Sequence, residues 1–234
     1  MKGLSKLFLP DICCICGEIT DGSIYFNTER FKIKSPFCAS CTAQLENSFR
    51  CVKRNIKGIG AHAVYLFSFS NETTEKAIYH IKIRECAASN EFFASLARCV
   101  LEELCGNDTL CVTNVPRSIS LLQKYGFDQS EAVTRTLVRD GEPFYYKKLL
   151  CRNKRFKKPQ RYLNAKERLA NARASLMLFD RNMPDTVVVI DDMITTGATA
   201  KATYELLTSA GCGKIYFLFL AGKEITKERR KENE

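Results

Sequence analysis

The sequence predicts an α/β fold, a mainly parallel twisted sheet flanked by helices, with a small cysteine-rich module ahead of it. Three observations predict it. Helical and strand-like segments alternate through residues 61–220, the pattern of a parallel sheet with helical crossovers. Val187-Val188-Val189-Ile190 is an unbroken β-branched run of the kind buried on both faces. Directly after it come Asp191, Asp192 and a polar turn, Thr195-Thr196-Gly197-Ala198-Thr199, and then a helix over residues 200–210 closed by Gly211. In such sheets ligands bind beyond the carboxyl ends of the strands, where the two carboxylates fall.

Composition bounds the answer. The chain has 234 residues, enough for one large domain or one domain plus a small module. Its 45% hydrophobic content supports a real core and excludes wholesale disorder. A net charge of +10, from 36 Lys+Arg against 26 Asp+Glu, suits anionic partners such as phosphorylated ligands or nucleic acid. The apolar run in residues 1–10 is too short for a secretory leader. No stretch approaches the roughly 20 apolar residues of a membrane span. These features point to the cytoplasm, where the 12 cysteines are thiols or metal ligands rather than disulfides. The expected organisation is a module over residues 1–55, a main domain over 56–222 and a charged tail over 223–234.

The module carries Cys13-x2-Cys16-Gly17 and, 21 residues on, Cys38-x2-Cys41. Each knuckle can present two thiolates to one tetrahedral zinc. Cys14 sits inside the first knuckle and competes with Cys13 as the first ligand, whereas Cys51 reads as a free thiol. Ile24 and Phe26, then Phe31 and Ile33, alternate as in a small β-ribbon. No catalytic base stands nearby, so the zinc is expected to be structural.

In the main domain, residues 61–69 read as a strand. Asn71 caps a helix to about Ile83 with Ala77, Ile78 and Ile81 on its apolar face, and Lys82 lies in its last turn. Asn90 is the expected cap of a second helix carrying Phe93, Leu96, Ala97, Val100, Leu101 and Leu104, stopped by Gly106. Residues 110–115 form a core strand halted by Pro116, and residues 118–125 a loop or short turn. Asp128 caps a helix with Ala132, Val133 and Leu137. Residues 144–150 are a third strand and residues 215–220 the last. His62 and His80 have no partner motif, so no Ser/His/Asp or Cys/His arrangement can be built.

Residues 147–168 contain ten Lys/Arg and one acid, Glu167, and read as a long basic loop. A loop of that length inside a compact domain is usually functional. Arg155, Lys157 and Lys158 suit either covering an anionic leaving group or tracking a nucleic-acid backbone, with Phe156 and Tyr162 available for stacking on bases.

The residues at 187–199 suit a sugar phosphate. Backbone N–H groups and the helix dipole hold the phosphate, the threonine hydroxyls add donors, and Gly197 lets the backbone approach closely. The carboxylates accept hydrogen bonds from two ribose hydroxyls. The run VVVIDDMITTGAT resembles the phosphoribosyl pyrophosphate (PRPP) motif of type I phosphoribosyltransferases.

Taken from about Leu7 to Gly222, the whole chain resembles the ComF family, competence-associated phosphoribosyltransferase-like proteins with an N-terminal zinc ribbon. Lys82, Asn114-Val115-Pro116, Gly126-Phe127-Asp128-Gln129, Pro159-Gln160, Arg168 and Asn171 fall on family positions. Asn114, Tyr125, Asp128 and Lys157 depart from it, standing where the family has Pro, Arg, Asn and Thr. Most of the basic residues the family has between its PVP and RGFNQ segments are absent at Ser118–Leu122. The resemblance implies a type I phosphoribosyltransferase-like fold with structural Zn²⁺ and with PRPP bound alongside Mg²⁺. Asp191 and Asp192 would fix the ribose, and Thr195, Thr196, Gly197, Ala198 and Thr199 the 5′-phosphate. Arg155, Lys157 and Lys158 would cover the leaving group or contact single-stranded DNA. Two functions are therefore expected: a PRPP-binding protein linked to DNA uptake and its partner proteins, or an active transferase acting on an amine or nucleobase nitrogen.

Overall fold

The computed structural model describes residues 11–20, 22–56, 58–69, 71–106, 108–153 and 164–223. The elements of the N-terminal part are β1 (Asp11–Ile12), β2 (Ile19–Thr20), β3 (Tyr25–Asn27), β4 (Lys32–Lys34), α1 (Ala39–Ser48) and β5 (Phe49–Arg54). Next come β6 (His62–Ser68), α2 (Glu72–Ile83), α3 (Ala87–Cys105), β7 (Leu110–Asn114), α4 (Ile119–Tyr125), α5 (Gln129–Leu137), β8 (Phe144–Tyr146) and β9 (Leu150–Arg152). The chain closes with α6 (Ala165–Ser175), β10 (Leu176–Leu178), β11 (Thr186–Ile194), α7 (Ala198–Ser209) and β12 (Lys214–Gly222).

The fold is the α/β class the sequence predicts. Six strands form one sheet in the order β5-β6-β12-β11-β7-β8. Every pairing is parallel except that of the edge strand β5 with β6. The central strands read as continuous apolar runs because both faces are covered. Along β11, Val188 and Ile190 enter one core with Val64, Leu66, Ile78 and Phe93. Val187 and Val189 enter the other with Cys111, Ala200, Leu207 and Phe217. This is the period-two alternation of a strand buried on both sides.

Described residues of the N-terminal part pack against the sheet domain. Phe26, Ile33, Phe37 and Leu45 share the core of α2 and α3, where Phe26 meets Phe67 and Phe92 edge-on with centroids 5.9 and 5.3 Å apart. The expected ribbon is present as β3 and β4, with Phe26 opposite Ile33. β5, within residues 1–55, supplies the sheet's edge.

Four local expectations are corrected. The second helix begins at Ala87 with Cys86 as its N-cap, and Asn90 is buried inside it, because Ala87 and Ala88 extend the helix N-terminally. Residues 119–125 are a helix, closed by Gly126 in the left-handed region at φ 80°. The expected strand over 144–150 is two strands. β8 joins the main sheet, then Leu149 N donates to Thr113 Oγ1 at 3.3 Å and β9 turns away to pair with β10. The expected basic loop contains β9 and the start of α6, whose N-terminus is a capping box between Asn164 and Glu167. No helix among the described residues is long and apolar enough to cross a membrane.

Candidate functional site

β11 does not stop at the apolar run. It continues through Asp191 and Asp192 to Ile194, so both carboxylates belong to the strand and leave it on opposite faces. On the α2 side, Asp192 Oδ2 accepts from Gln129 Nε2 at 2.5 Å and pairs with Lys82 Nζ at 3.2 Å. On the other side, Asp191 lies in the field of the Arg152 guanidinium, and its Oδ1 accepts the Asp192 N–H at 2.9 Å. Burial, then the neighbouring Asp192 charge, push the Asp191 carboxyl well above the usual carboxylate range, with Lys82 and Arg152 opposing.

The polar turn joins β11 to α7. Gly197 is the N-cap of α7 with φ 76°. A Cβ there would also stand 2.9 Å from Ile56 Cγ2, so both conformation and space demand glycine. Ala198 and Thr199 open the helix, whose first turn carries N–H groups without intrahelical acceptors at the positive end of its dipole. Thr196 is exposed and Thr195 and Thr199 are half-exposed. Arg54 fixes the turn from β5: its guanidinium donates to Thr195 O at 2.5 Å and to Lys223 O at 2.9 Å.

Three further side chains surround the carboxylates. Arg117, buried after Pro116, donates to Lys82 O at 2.5 Å and Phe127 O at 3.1 Å. Its guanidinium lies 4.6 Å from the Tyr125 ring centroid, so the aromatic residue at 125 packs against an arginine supplied eight positions earlier. Asp128 caps α5 through Ser130 N and Glu131 N and accepts Arg117 N–H at 2.6 Å. Burial nevertheless raises its carboxyl. Arg152 ties three segments together, donating to Pro116 O at 2.7 Å and Ser175 Oγ at 2.9 Å. Two buried polar atoms here, Arg117 Nε and Gln129 Oε1, have no hydrogen-bond partner among the described residues, leaving bonding capacity inside the site.

Asp191, Asp192 and Thr195–Thr199 thus lie together at the carboxyl end of the central strand. Arg155, Lys157 and Lys158 lie outside the described residues. Sequence reasoning gave no role to Gln129, Arg117, Arg152 or Arg54. Gln129 closes the Gly126–Gln129 segment already matched to the family and Arg117 follows Val115-Pro116, so both carried a positional signal. Arg54 and Arg152 reach the site only through the fold.

In the N-terminal module, the sulfurs of Cys13, Cys16, Cys38 and Cys41 all lie within 4.8 Å of one another. Tetrahedral zinc with sulfur at about 2.3 Å spaces its ligands by about 3.8 Å, so the cluster fits such an ion. The Cys16 and Cys38 sulfurs are 3.6 Å apart. Burial opposes the Cys13 thiolate, but backbone N–H groups of Cys38, Cys16 and Ile15 outweigh it and lower its pKa. Burial and the adjacent sulfurs push Cys41 up, the strain that a shared cation relieves. Cys13, not Cys14, is the residue that belongs to the cluster.

Over 36 residues the chain is 58% identical to the adenine phosphoribosyltransferase of Picosynechococcus sp., covering 15% of this chain and 21% of that protein. Over 34 residues it is 56% identical to the adenine phosphoribosyltransferase of Synechocystis sp., covering 14% and 20%. The match therefore spans about a fifth of these relatives' length. No protein-family model matches the chain. Among solved structures, it is similar to the allosteric regulatory enzyme of purine biosynthesis, with 19% identity and a TM-score of 0.37 over 57% of this chain and 26% of that one. It is also similar to a hypoxanthine phosphoribosyltransferase from Staphylococcus aureus, with 14% identity and a TM-score of 0.34 over 62% and 71%.

Proposed function

We propose that this chain is a ComF-type, phosphoribosyltransferase-like protein that binds PRPP or a related phosphoribosyl group and serves in DNA uptake. The observation that carries the ligand assignment is the junction of β11 and α7. A carboxylate pair on the central strand runs directly into a threonine turn that ends in a left-handed glycine at a helix N-terminus.

In this reading the open N–H groups of α7 and the hydroxyls of Thr195, Thr196 and Thr199 hold the 5′-phosphate. Asp191 and Asp192 accept from the ribose hydroxyls. The carboxylates are hard oxygen donors of the kind Mg²⁺ takes, and the ion would neutralise the pyrophosphate. Lys82 and Gln129 keep Asp192 oriented, Arg152 offsets the charge of Asp191, and Arg54 keeps the turn in shape. The cysteine cluster holds a structural Zn²⁺.

The DNA-linked part rests on the resemblance and on the net charge of +10. Arg155, Lys157 and Lys158 are the residues proposed to contact single-stranded DNA. A second reading, an active transferase moving the phosphoribosyl group of PRPP to a nucleobase or amine nitrogen with release of pyrophosphate, is favoured by the short match to adenine phosphoribosyltransferases.

Pyrophosphate release from PRPP and Mg²⁺, assayed with adenine and with simple amines, separates the two. Binding without turnover supports the first reading and steady pyrophosphate release the second. For the DNA role, single-strand affinity is expected to fall steeply with salt and to weaken when Arg155, Lys157 and Lys158 become alanine. Affinity indifferent to both would remove that role.

A further inference from the structure

Cys14 sits between two residues of the four-sulfur cluster without belonging to it. Its sulfur lies instead 3.3 Å from that of Cys86, 72 residues along the chain. Cys86 is the N-cap of α3 and makes no side-chain capping bond. Both cysteines are only partly buried, so a small reagent can reach them. The pair spans two parts of the fold. Cys14 belongs to the first metal-binding knuckle. Cys86 belongs to the corner between α2 and α3, four residues after the Lys82 that pairs with Asp192. Neither the cluster nor the β11–α7 site accounts for two thiols at this separation.

We propose that Cys14 and Cys86 are a redox-responsive dithiol that closes to a disulfide by exchange with a small-molecule disulfide of the glutathione type. One cysteine, as thiolate, attacks a sulfur of the small disulfide, whose S–S bond breaks and releases one small thiol. The second cysteine then attacks the mixed disulfide and releases the other. The two cysteines lose two electrons and two protons, and the small disulfide gains them as two thiols. Closure brings the sulfurs from 3.3 Å to about 2.05 Å, a movement on the scale of a side-chain adjustment. The product staples the knuckle to the α2–α3 corner. It does not depend on which ligand the carboxylate site takes.

The test uses the full chain loaded with zinc, equilibrated in graded mixtures of oxidised and reduced glutathione, quenched with iodoacetamide and mapped by peptide mass spectrometry. The expected result is a Cys14–Cys86 linked peptide as the first crosslink to form. Two alkylatable thiols are lost, and the metal content per chain does not change. Cys86→Ser abolishes the crosslink. Serine is a favourable N-cap, so this variant retains the fold, which an unchanged melting temperature verifies. Cys51→Ser leaves the crosslink intact. Cys14 and Cys86 alkylated or glutathionylated independently across the whole range, or Cys14 crosslinked first to a cluster cysteine, would overturn the proposal.

Discussion

Lys82 Nζ lies 3.2 Å from Oδ2 of Asp192, and this ion pair joins the end of α2 to the carboxyl end of β11. The same oxygen receives Gln129 Nε2 from the start of α5. Two segments far apart in sequence therefore fix one carboxylate, while Asp191 faces the other side of the sheet. The pair is unequal: Asp192 is held in place by a cation and an amide, whereas burial and the Asp192 charge push the Asp191 carboxyl upward.

Removing Lys82 leaves a largely buried carboxylate with one partner fewer. Lys82→Met is expected to lower stability by about 1–3 kcal/mol, and adding Asp192→Asn is expected to restore part of it. Denaturant unfolding of the two single variants and the double variant measures the coupling. Additive losses would mean that the two side chains do not interact.

The raised Asp191 carboxyl sets a pH dependence. A folded-state pKa above the unfolded one means that the native state binds the extra proton. Its contribution to stability is then fully present below the ordinary carboxylate range and lost as pH rises through the elevated value. Asp191→Asn removes that loss. It should raise the ligand-free melting temperature at neutral pH by a few degrees and flatten its decline from mildly acidic to neutral pH. A variant that melts lower than wild type at neutral pH would contradict the assignment.

Arg152 donates to Pro116 O and Ser175 Oγ and offsets the charges of Asp191 and Asp128. Arg152→Met keeps the stem but removes all of this, at an expected cost of about 1–3 kcal/mol. The loss should be visible as a lower denaturation midpoint with an unchanged slope.

Metal removal should propagate beyond the module, because Cys13, Cys38 and Cys41 share one core with Phe26, Leu45 and the α3 aromatics. The expectation is about one zinc per chain, lost in Cys38→Ser/Cys41→Ser and retained in Cys14→Ser. Elemental analysis gives the metal count. Circular dichroism should show that loss of metal lowers the melting transition of the whole chain rather than leaving the sheet domain unchanged.

Much of this architecture was legible in the chain. The apolar runs of β7, β11 and β12, the caps Asn71 and Asp128, and the Gly106 stop announce themselves through short-range chemistry, as do the two Cys-x2-Cys knuckles. The choice of Cys13 over Cys14 was not legible, because both lie in the same knuckle and only three-dimensional spacing separates them. Nor was the division of residues 144–152 between two sheets, which depends on contacts to Thr113 and β10. Arg54 and Arg152 reach the site across long sequence separations, and nothing local marks either. Arg117 packing on Tyr125 shows the same limit: sequence position made the arginine look missing, while the fold brings one to that ring.

Calorimetric titration of the zinc-loaded protein with PRPP and Mg²⁺ decides whether the β11–α7 junction holds a phosphoribosyl group. Saturable binding with one site per chain and a rise in melting temperature are expected, both abolished by Asp191→Asn/Asp192→Asn in a protein that remains folded. No heat and no thermal shift from the wild type, or undiminished binding by the double variant, would contradict this assignment.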